Sequence, residues 1–503
     1  MDLRSHRSTE SHLVKTKIVA TVGPAVETPD KLRQLIERGV DVFRLNFAHG
    51  THEWLRNTIS TIRTAAASLQ RPIGLLGDLA GPKIRLGELP GDCLELGIDD
   101  RVRFVHTGSA DEPHDLTCTY EELIDDLEVG DRVLLADGVV GLRVTNKAAD
   151  GQSVECIVEK AGTIRSRQGV NLPGVKRGLP SLTDQDRVNL RFAIEQDLDF
   201  VGLSFVRSAN DSDLLRSLIC EHQPDPLLQP KIVAKIEKPE AIDDLDRILA
   251  ATDAVMVARG DLGVEVDIVR VPILQKEVIR RCNKRRIPVI TATQMLDSMQ
   301  RSALPTRAEV SDVANAVLDG TDAVMLSGET AVGEYPLEAV EMMSRIAAEA
   351  EEAVHSIDRG NLTELMSHRW AEPVTEAVTC GAGAAAEHLQ ATIIVVATHS
   401  GRTAMAVSQQ RRPIPIVALT DDIRTARRMC LMWGVTPVHC GAVHRPPEEL
   451  LQFVVEWARR MSVISAGGKL VLIASTDWSA PGHDLMLVHT LPPESDDATA
   501  EVP

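Results

Sequence analysis

The chain has 503 residues, 44% hydrophobic and 25% charged, with 73 acidic side chains against 54 basic ones and a formal charge of −19. That length exceeds what one compact core accommodates, so two to four domains are expected. The acidic balance argues against a general nucleic-acid or anionic-membrane partner, because either needs a positive face, and any anionic substrate must be met by a local basic cluster.

The first residues, MDLRSHRSTESH, are polar and lack the apolar stretch of a signal peptide, so residues 1–12 are expected to be frayed. From Lys17 onward, short apolar and β-branched runs recur: KIVATV at Lys17, DVFRLNF at Asp41, IGLLGDL at Ile73, DFVGLSF at Asp199, KIVAKIE at Lys231, DAVMVAR at Asp253, PVITAT at Pro288 and DAVMLS at Asp322. Each has a helical pattern nearby; Pro239 to Ala250, for example, reads as one helix with proline near its start, where a missing N–H costs little. Several runs are continuously hydrophobic, as strands buried on both faces of a parallel sheet must be. Eight such units suit a (β/α)8 barrel, whose active residues gather at the C-terminal strand ends, with an open doubly wound sheet as the alternative.

The third unit is interrupted after Arg85 by a different texture: RVRFVH, DRVLLAD and LRVTNK, with turns at Val129-Gly130, Asp137-Gly138 and Asp150-Gly151. Helical periodicity resumes at Thr183, an N-cap in the context SLTDQD. The insert reads as a small β-barrel lid domain able to close over the site and exclude water. From Ala353 the pattern restarts as a separate α/β domain: helix TEAVTCGAGAAAEHL, strand ATIIVVAT, turn HSGRT, strand IPIVALT, helix TARRMCLMWG and final strands KLVLIAST and DLMLVHTL. The expected plan is therefore a discontinuous barrel over 13–86 and 183–352, a lid over 87–182, a C-terminal α/β domain over 353–492 and a disordered acidic tail over 493–503. Eight cysteines fall singly, without CxxC or Cys/His ligand spacing, which points to reduced thiols in a cytoplasmic protein. No run of ~18 uncharged apolar residues occurs, so no transmembrane helix is expected.

Nearly every strand tip carries chemistry. The second ends in Arg44, Asn46 and His49; the third in Asp78, then Gly81, Lys83 and Arg85; the fourth in Ser204; the fifth in Lys235 and Glu237. Arg259, Gly260 and Asp261 follow the sixth, Thr293 the seventh, and Ser327 and Glu329 the eighth. Lys235 and Glu237, two apart on a strand, point to one side. Two carboxylates and a lysine converging there are what a divalent cation and a phosphorylated substrate would need. A ring of charges at one rim is costly unless a ligand compensates it.

RLNFAHG (Arg44–Gly50), DLAGPKIR (Asp78–Arg85), GVNLPG (Gly169–Gly174), KIEKPEA (Lys235–Ala241), VMVARGDLGVE (Val255–Glu265), TATQMLDSM (Thr291–Met299) and the long run Pro305–Pro336, in this order, closely resemble the pyruvate kinase family, over essentially the whole chain from Thr16 to Thr490. The resemblance implies transfer of the phosphoryl group of phosphoenolpyruvate to ADP, giving pyruvate and ATP, the last step of glycolysis. It implies Mg2+, for which Mn2+ could substitute, on Glu237 and Asp261. Lys235 becomes the cation at the phosphoryl and enolate oxygens, Arg44 a second phosphoryl-binding cation, and Arg85 a contact to nucleotide phosphate. The Gly260 and Asp261 amides, read as the start of a tight turn, would receive the substrate carboxylate. Thr293 falls on the side where the enolate is protonated; a threonine hydroxyl alone is too weak an acid, so a water relay is expected. Asn46, His49, Arg85 and Arg167 fall on the nucleotide side, with Gln168 nearest the lysine the family would place there. Asp137-Gly138 matches an acidic turn facing the cleft and equally reads as a simple hairpin.

One departure concerns the monovalent cation. K+-requiring members bind it with Asn, Ser, Asp and Thr; here Asn46 and Asp78 remain, Ala48 stands at the serine and Leu79 at the threonine. Lys83 replaces a glutamate in the GPxIR motif, and its fixed ammonium could take the charge role of the ion, so K+ is not expected to be required. In the last domain Thr398, Ser400, Gly401, Arg402 and Thr403 match a sugar-phosphate effector loop, although the closing loop STDWSAPGHD departs from the glycine-rich one of fructose 1,6-bisphosphate-activated members. The resemblance also implies allostery and a homotetramer. Competing readings are another barrel enzyme handling a pyruvate enolate, such as an aldolase or lyase, and a catalytically inactive sugar-phosphate-binding regulator. Neither GxxxxGK[ST] nor GxGxxG appears.

Overall fold

The structure, a computed structural model, describes residues 14–106, 112, 114–175, 181–355, 372–460, 463–476 and 482–492. The expected frayed residues 1–12, the acidic tail 493–503 and residues 477–481 of the STDWSAPGHD loop lie outside them.

Eight parallel strands close into a barrel: β1 (Lys17–Thr21), β2 (Val42–Asn46), β3 (Gly74–Asp78), β12 (Phe200–Leu203), β13 (Lys231–Ile236), β14 (Ala254–Ala258), β15 (Val289–Ala292) and β16 (Ala323–Leu326), with β16 pairing back onto β1. These are the eight runs read from the sequence, and all but a few of their residues are buried, which is why they lack polar alternation. Helix starts are fixed by short polar side chains. Thr28 caps Pro29–Arg38, and Thr183 with Asp186 and Thr306 with Glu309 form capping boxes on Asp184–Glu195 and Arg307–Leu318. The single helix expected over Pro239–Ala250 is instead two, Pro239–Asp243 and Leu245–Ala251, meeting at Asp244, whose carboxylate accepts the Ala209 N–H at 2.9 Å.

Among its described residues the insert contains eight strands: β4 (Cys93–Leu96), β5 (Arg101–Val105), β6 (Asp115–Leu116), β7 (Arg132–Leu135), β8 (Val140–Lys147), β9 (Ser153–Lys160), β10 (Gly162–Arg165) and β11 (Val170–Asn171). They make a six-stranded sheet, β11-β7-β8-β9-β5-β6, and a β10-β4 pair around one core containing Phe104, Leu135, Leu142 and Val158. Two chain crossings join it to the barrel beside Arg85, which bridges to Gly169.

The last domain is a five-stranded sheet in the order β19-β18-β17-β20-β21, formed by β17 (Ile393–Ala397), β18 (Ile416–Thr420), β19 (Val435–His439), β20 (Lys469–Ala474) and an antiparallel β21 (Leu485–Thr490). The sequence reading missed β19 and the helix Pro447–Arg460, and it ran the TARRMCLMWG helix too far, since the helix ends at Met429. There the chain turns so that Cys430 and Leu431 enter the floor of the barrel, against Val19, Val42, Leu76, Val233, Met256 and Ile290. Around this plug, Arg427 pairs with Asp199 at 2.8 Å and with Asp197 at 2.6 Å, and Arg411 pairs with Asp322 at 3.0 Å. The C-terminal domain thus supplies part of the barrel's own core. All eight cysteines are free.

Candidate active site

Asp78 is the hub. It stands at the end of β3, is 2% exposed, and its Oδ2 accepts from Arg44 Nε at 2.7 Å, with Arg44 Nη2 at 2.6 Å and Lys235 Nζ at 3.4 Å. Burial pushes its pKa up, but Lys235 and Arg44 outweigh that and hold it below the usual carboxylate range. Space for the carboxylate comes from Gly202 on the neighbouring β12, where a Cβ would lie 2.7 Å from Asp78 Oδ1. The sequence reading passed over Gly202, although a glycine inside a strand pattern signals such a close approach.

Lys235 reaches across from β13. Its ammonium lies 2.9 Å from Glu237 Oε1 and donates to Ser204 Oγ at 2.8 Å, and Ser204 donates onward to the Leu79 carbonyl at 2.7 Å. Burial alone would discharge this lysine; Asp78 and Glu237 overcome it and keep its pKa above the ordinary value. Glu237, 1% exposed, is pushed up to about 6 by burial and then by Asp261, against the pull of Lys235. Its Oε2 accepts the Phe205 N–H at 2.7 Å. Its Oε1, despite the nearby ammonium, accepts no well-formed hydrogen bond, nor does Asp78 Oδ1. A buried, high-pKa carboxylate, with the Asp261 carboxylate just past the end of the next strand, suits a hard divalent cation. Among the described residues no group of three or more His, Cys, Asp and Glu side chains converges, so substrate and water would complete the coordination.

Gly260 and Asp261 do not begin a tight turn as expected. They lie in the first turn of a helix, Arg259–Glu265, that continues directly from β14. The Gly260 N–H donates to Thr293 Oγ1 at 2.7 Å, so the threonine hydroxyl holds the amide assigned to the substrate carboxylate. Thr293 has φ +68, a costly conformation for a β-branched residue. Arg259 over-determines it by donating to the Thr293 carbonyl at 2.8 Å while paired to Asp312 at 2.7 Å. Arg259, 9% exposed, therefore braces the turn. Glu329 likewise faces backbone, accepting from Leu296 N at 3.1 Å and Ser327 N at 2.7 Å.

Arg44 also donates to Thr21 Oγ1 at 3.2 Å, which joins the first strand tip to the cluster. Asn46 Oδ1 accepts the Ala48 N–H at 3.1 Å, His49 is exposed, and the Leu79 side chain is buried in the barrel core. The Lys83 ammonium lies 3.8 Å from Asp137 in the lid, an orientation toward the cleft that the sequence reading did not foresee. Arg85 donates to the Arg167 carbonyl at 3.2 Å where the insert joins the barrel, while the Arg167 guanidinium pairs with Glu88. In the last domain Thr398 Oγ1 accepts the Gly401 N–H at 3.1 Å, Arg402 donates to Ser400 Oγ at 3.3 Å, and Thr403 Oγ1 lies 2.9 Å from His483 Nδ1. The loop is thus organised largely by its own hydroxyls.

A model of the pyruvate kinase barrel domain matches residues 13–340, and one of the pyruvate kinase alpha/beta domain matches residues 376–489. The chain is 42% identical over 483 residues to a pyruvate kinase of Geobacillus stearothermophilus and 42% identical over 477 residues to one of Bacillus licheniformis; each match covers 95% of this chain and 80% of the relative. A crystal structure of a pyruvate kinase from Cryptosporidium parvum superposes with a TM-score of 0.85 at 36% identity, covering 95% of this chain and 96% of that one.

Proposed function

The chain belongs to the pyruvate kinase family, and from that premise we propose which of its residues move the phosphoryl group of phosphoenolpyruvate to ADP. The observation that carries the assignment is the buried cluster in which Asp78, Glu237 and Ser204 hold the Lys235 ammonium at the barrel mouth. Lys235 stays charged in that setting and meets the phosphoryl and enolate oxygens, where negative charge grows as the P–O bond breaks. Arg44, held by Asp78, is a second cation for the same oxygens. A nucleotide oxygen attacks phosphorus, the enolate oxygen leaves, and the enolate carbon then takes a proton on the Thr293 side through a water relay. Glu237 and Asp261 would hold Mg2+, which would supply charge neutralisation for the phosphoryl group. The substrate carboxylate displaces the Thr293 hydroxyl from the Gly260 N–H and takes the Gly260 and Asp261 amides. Asn46, His49, Arg85 and Arg167 border the nucleotide path.

K+ is not required in this reading. Asn46 and Asp78 are retained, Ala48 removes a side-chain oxygen, and Lys83 adds a fixed charge that must swing away from Asp137 to serve the cation region. Initial rates in Tris buffer with Mg2+ and no alkali cation should match those with K+; strong activation by K+ contradicts this reading. Thr398–Thr403 serves a sugar-phosphate effector, and the exposed Ile268, Val269 and Ile273 offer an apolar patch for assembly as a homotetramer, which sedimentation checks. No helix among the described residues is long and apolar enough to cross a membrane, and a cytoplasmic location is proposed. The deciding assay couples pyruvate formation to lactate dehydrogenase. ADP-dependent turnover of phosphoenolpyruvate is expected, and pyruvate release without ADP would sink the assignment.

A further inference from the structure

Beyond the two chain crossings, the lid meets the barrel at a small polar contact that the reaction above does not use. Asn171, on β11 of the lid, is 7% exposed, and its Nδ2 donates to Glu265 Oε1 at 3.4 Å; its Oδ1 is buried without a hydrogen-bond partner. Glu265 closes the last turn of the helix that begins at Arg259, and it forms an ion pair with Lys238; both are 8% exposed. The Lys238 ammonium lies 5.7 Å from the centroid of the Phe205 ring. Phe205, at φ +55, gives its N–H to Glu237, and its ring presses on Gly81 at the root of the lid, where a Cβ would lie 2.8 Å from Phe205 Cδ2. A cavity of about 300 Å³ opens beside these groups, lined by Lys83, Asn171, Phe205, Lys238 and Glu265 among others.

We propose that Glu265 is a positioning residue for the reaction: it receives the lid through Asn171 and, through Lys238 and Phe205, sets Glu237. The chain of contacts is continuous. A lid that lifts Asn171 off Glu265 removes a hydrogen bond to a buried carboxylate. Lys238 is then freer to leave the Phe205 face, and Phe205 is the residue whose amide orients Glu237. Closure and the geometry of Glu237 are thereby one event. The 3.4 Å separation leaves the contact room to tighten once substrate fills the cleft. The effect on turnover rests on Glu237 holding the divalent cation, as proposed above; the docking of the lid does not.

The test compares Asn171→Ala, Glu265→Gln and the double variant in the full chain. Hydrogen–deuterium exchange of residues 169–175, read without metal or substrates, should rise in both single variants while exchange in the barrel strands stays as in the parent. kcat/KM for phosphoenolpyruvate should fall about tenfold in each, the size expected for a hydrogen bond to a charged group, and the double variant should be no worse than the weaker single. Unchanged exchange at 169–175, or losses that multiply in the double variant, would overturn the proposal. Asn171→Ala lies on the lid and keeps the exchange measurement available if Glu265→Gln leaves Lys238 too poorly compensated to fold. Lys235→Met separates the two layers: if it retains turnover the catalytic assignment fails, whereas flat lid exchange removes only the latch.

Discussion

Protonation of Glu237 should switch divalent-cation binding off over a narrow acid range. The carboxylate is buried and its pKa is raised from 4.5 to about 6. If the ion requires the ionised form, apparent affinity scales with the ionised fraction, roughly one part in eleven at pH 5 and ten in eleven at pH 7, a change of about tenfold. Binding at pH 6 should release about half a proton per ion from this group. The stability of the metal-free protein moves in the opposite direction. A folded-state pKa above the ordinary one favours the fold below about 4.5, and that contribution is lost as pH rises through about 6, worth about 2 kcal/mol for a shift of roughly 1.5 units. Removing Mg2+ should therefore destabilise the protein more at pH 8 than at pH 5. Isothermal titration of Mg2+ or Mn2+ into the substrate-free protein at pH 5, 6 and 7, in buffers of different ionisation enthalpy, reads both affinity and proton release. Glu237→Gln should bind weakly and with no pH slope. An affinity that changes less than about twofold between pH 5 and 7, or an unaltered slope in Glu237→Gln, would refute the reasoning.

Two further outcomes follow from packing. Gly202→Ala places a methyl 2.7 Å from Asp78 Oδ1, so it should cost about 1–3 kcal/mol in thermal unfolding and lower kcat together with stability, because Asp78 carries Arg44 and Lys235; an active, unshifted variant would show that β12 can yield there. Leu431→Ala empties the barrel floor and should cost about 2–5 kcal/mol by denaturant titration, with kcat at low temperature close to the parent's. Loss of the C-terminal domain's cooperativity without loss of barrel stability would argue against the plug.

The barrel was legible because its strands are buried on both faces and announce themselves as uninterrupted apolar runs, and the tips were legible because charge has no packing reason to follow such runs. Lys235 and Glu237 could be placed on one side from their spacing alone. Side-chain direction beyond the strands was not legible: Arg259 and Glu329 looked like members of the ring, yet one braces Thr293 and the other caps backbone amides. The helical first turn at Gly260 was misread because the two glycines in RGDLG argue for a turn, whereas the preceding strand feeds straight into the helix. Lys83 was assigned by the chemistry of the position it replaces, and its ammonium faces Asp137 across a cleft that no local pattern encodes. The barrel plug was missed for a similar reason, since MCLMWG continues a helical period until tertiary contact with the floor breaks it.

The most direct test of the catalytic assignment is the steady-state turnover of Lys235→Met in the lactate dehydrogenase-coupled assay. A cation that acts mainly where charge develops should lower kcat about a thousandfold while KM for phosphoenolpyruvate changes only severalfold, with Asp78 still held by Arg44. Turnover within about tenfold of the parent would contradict the account.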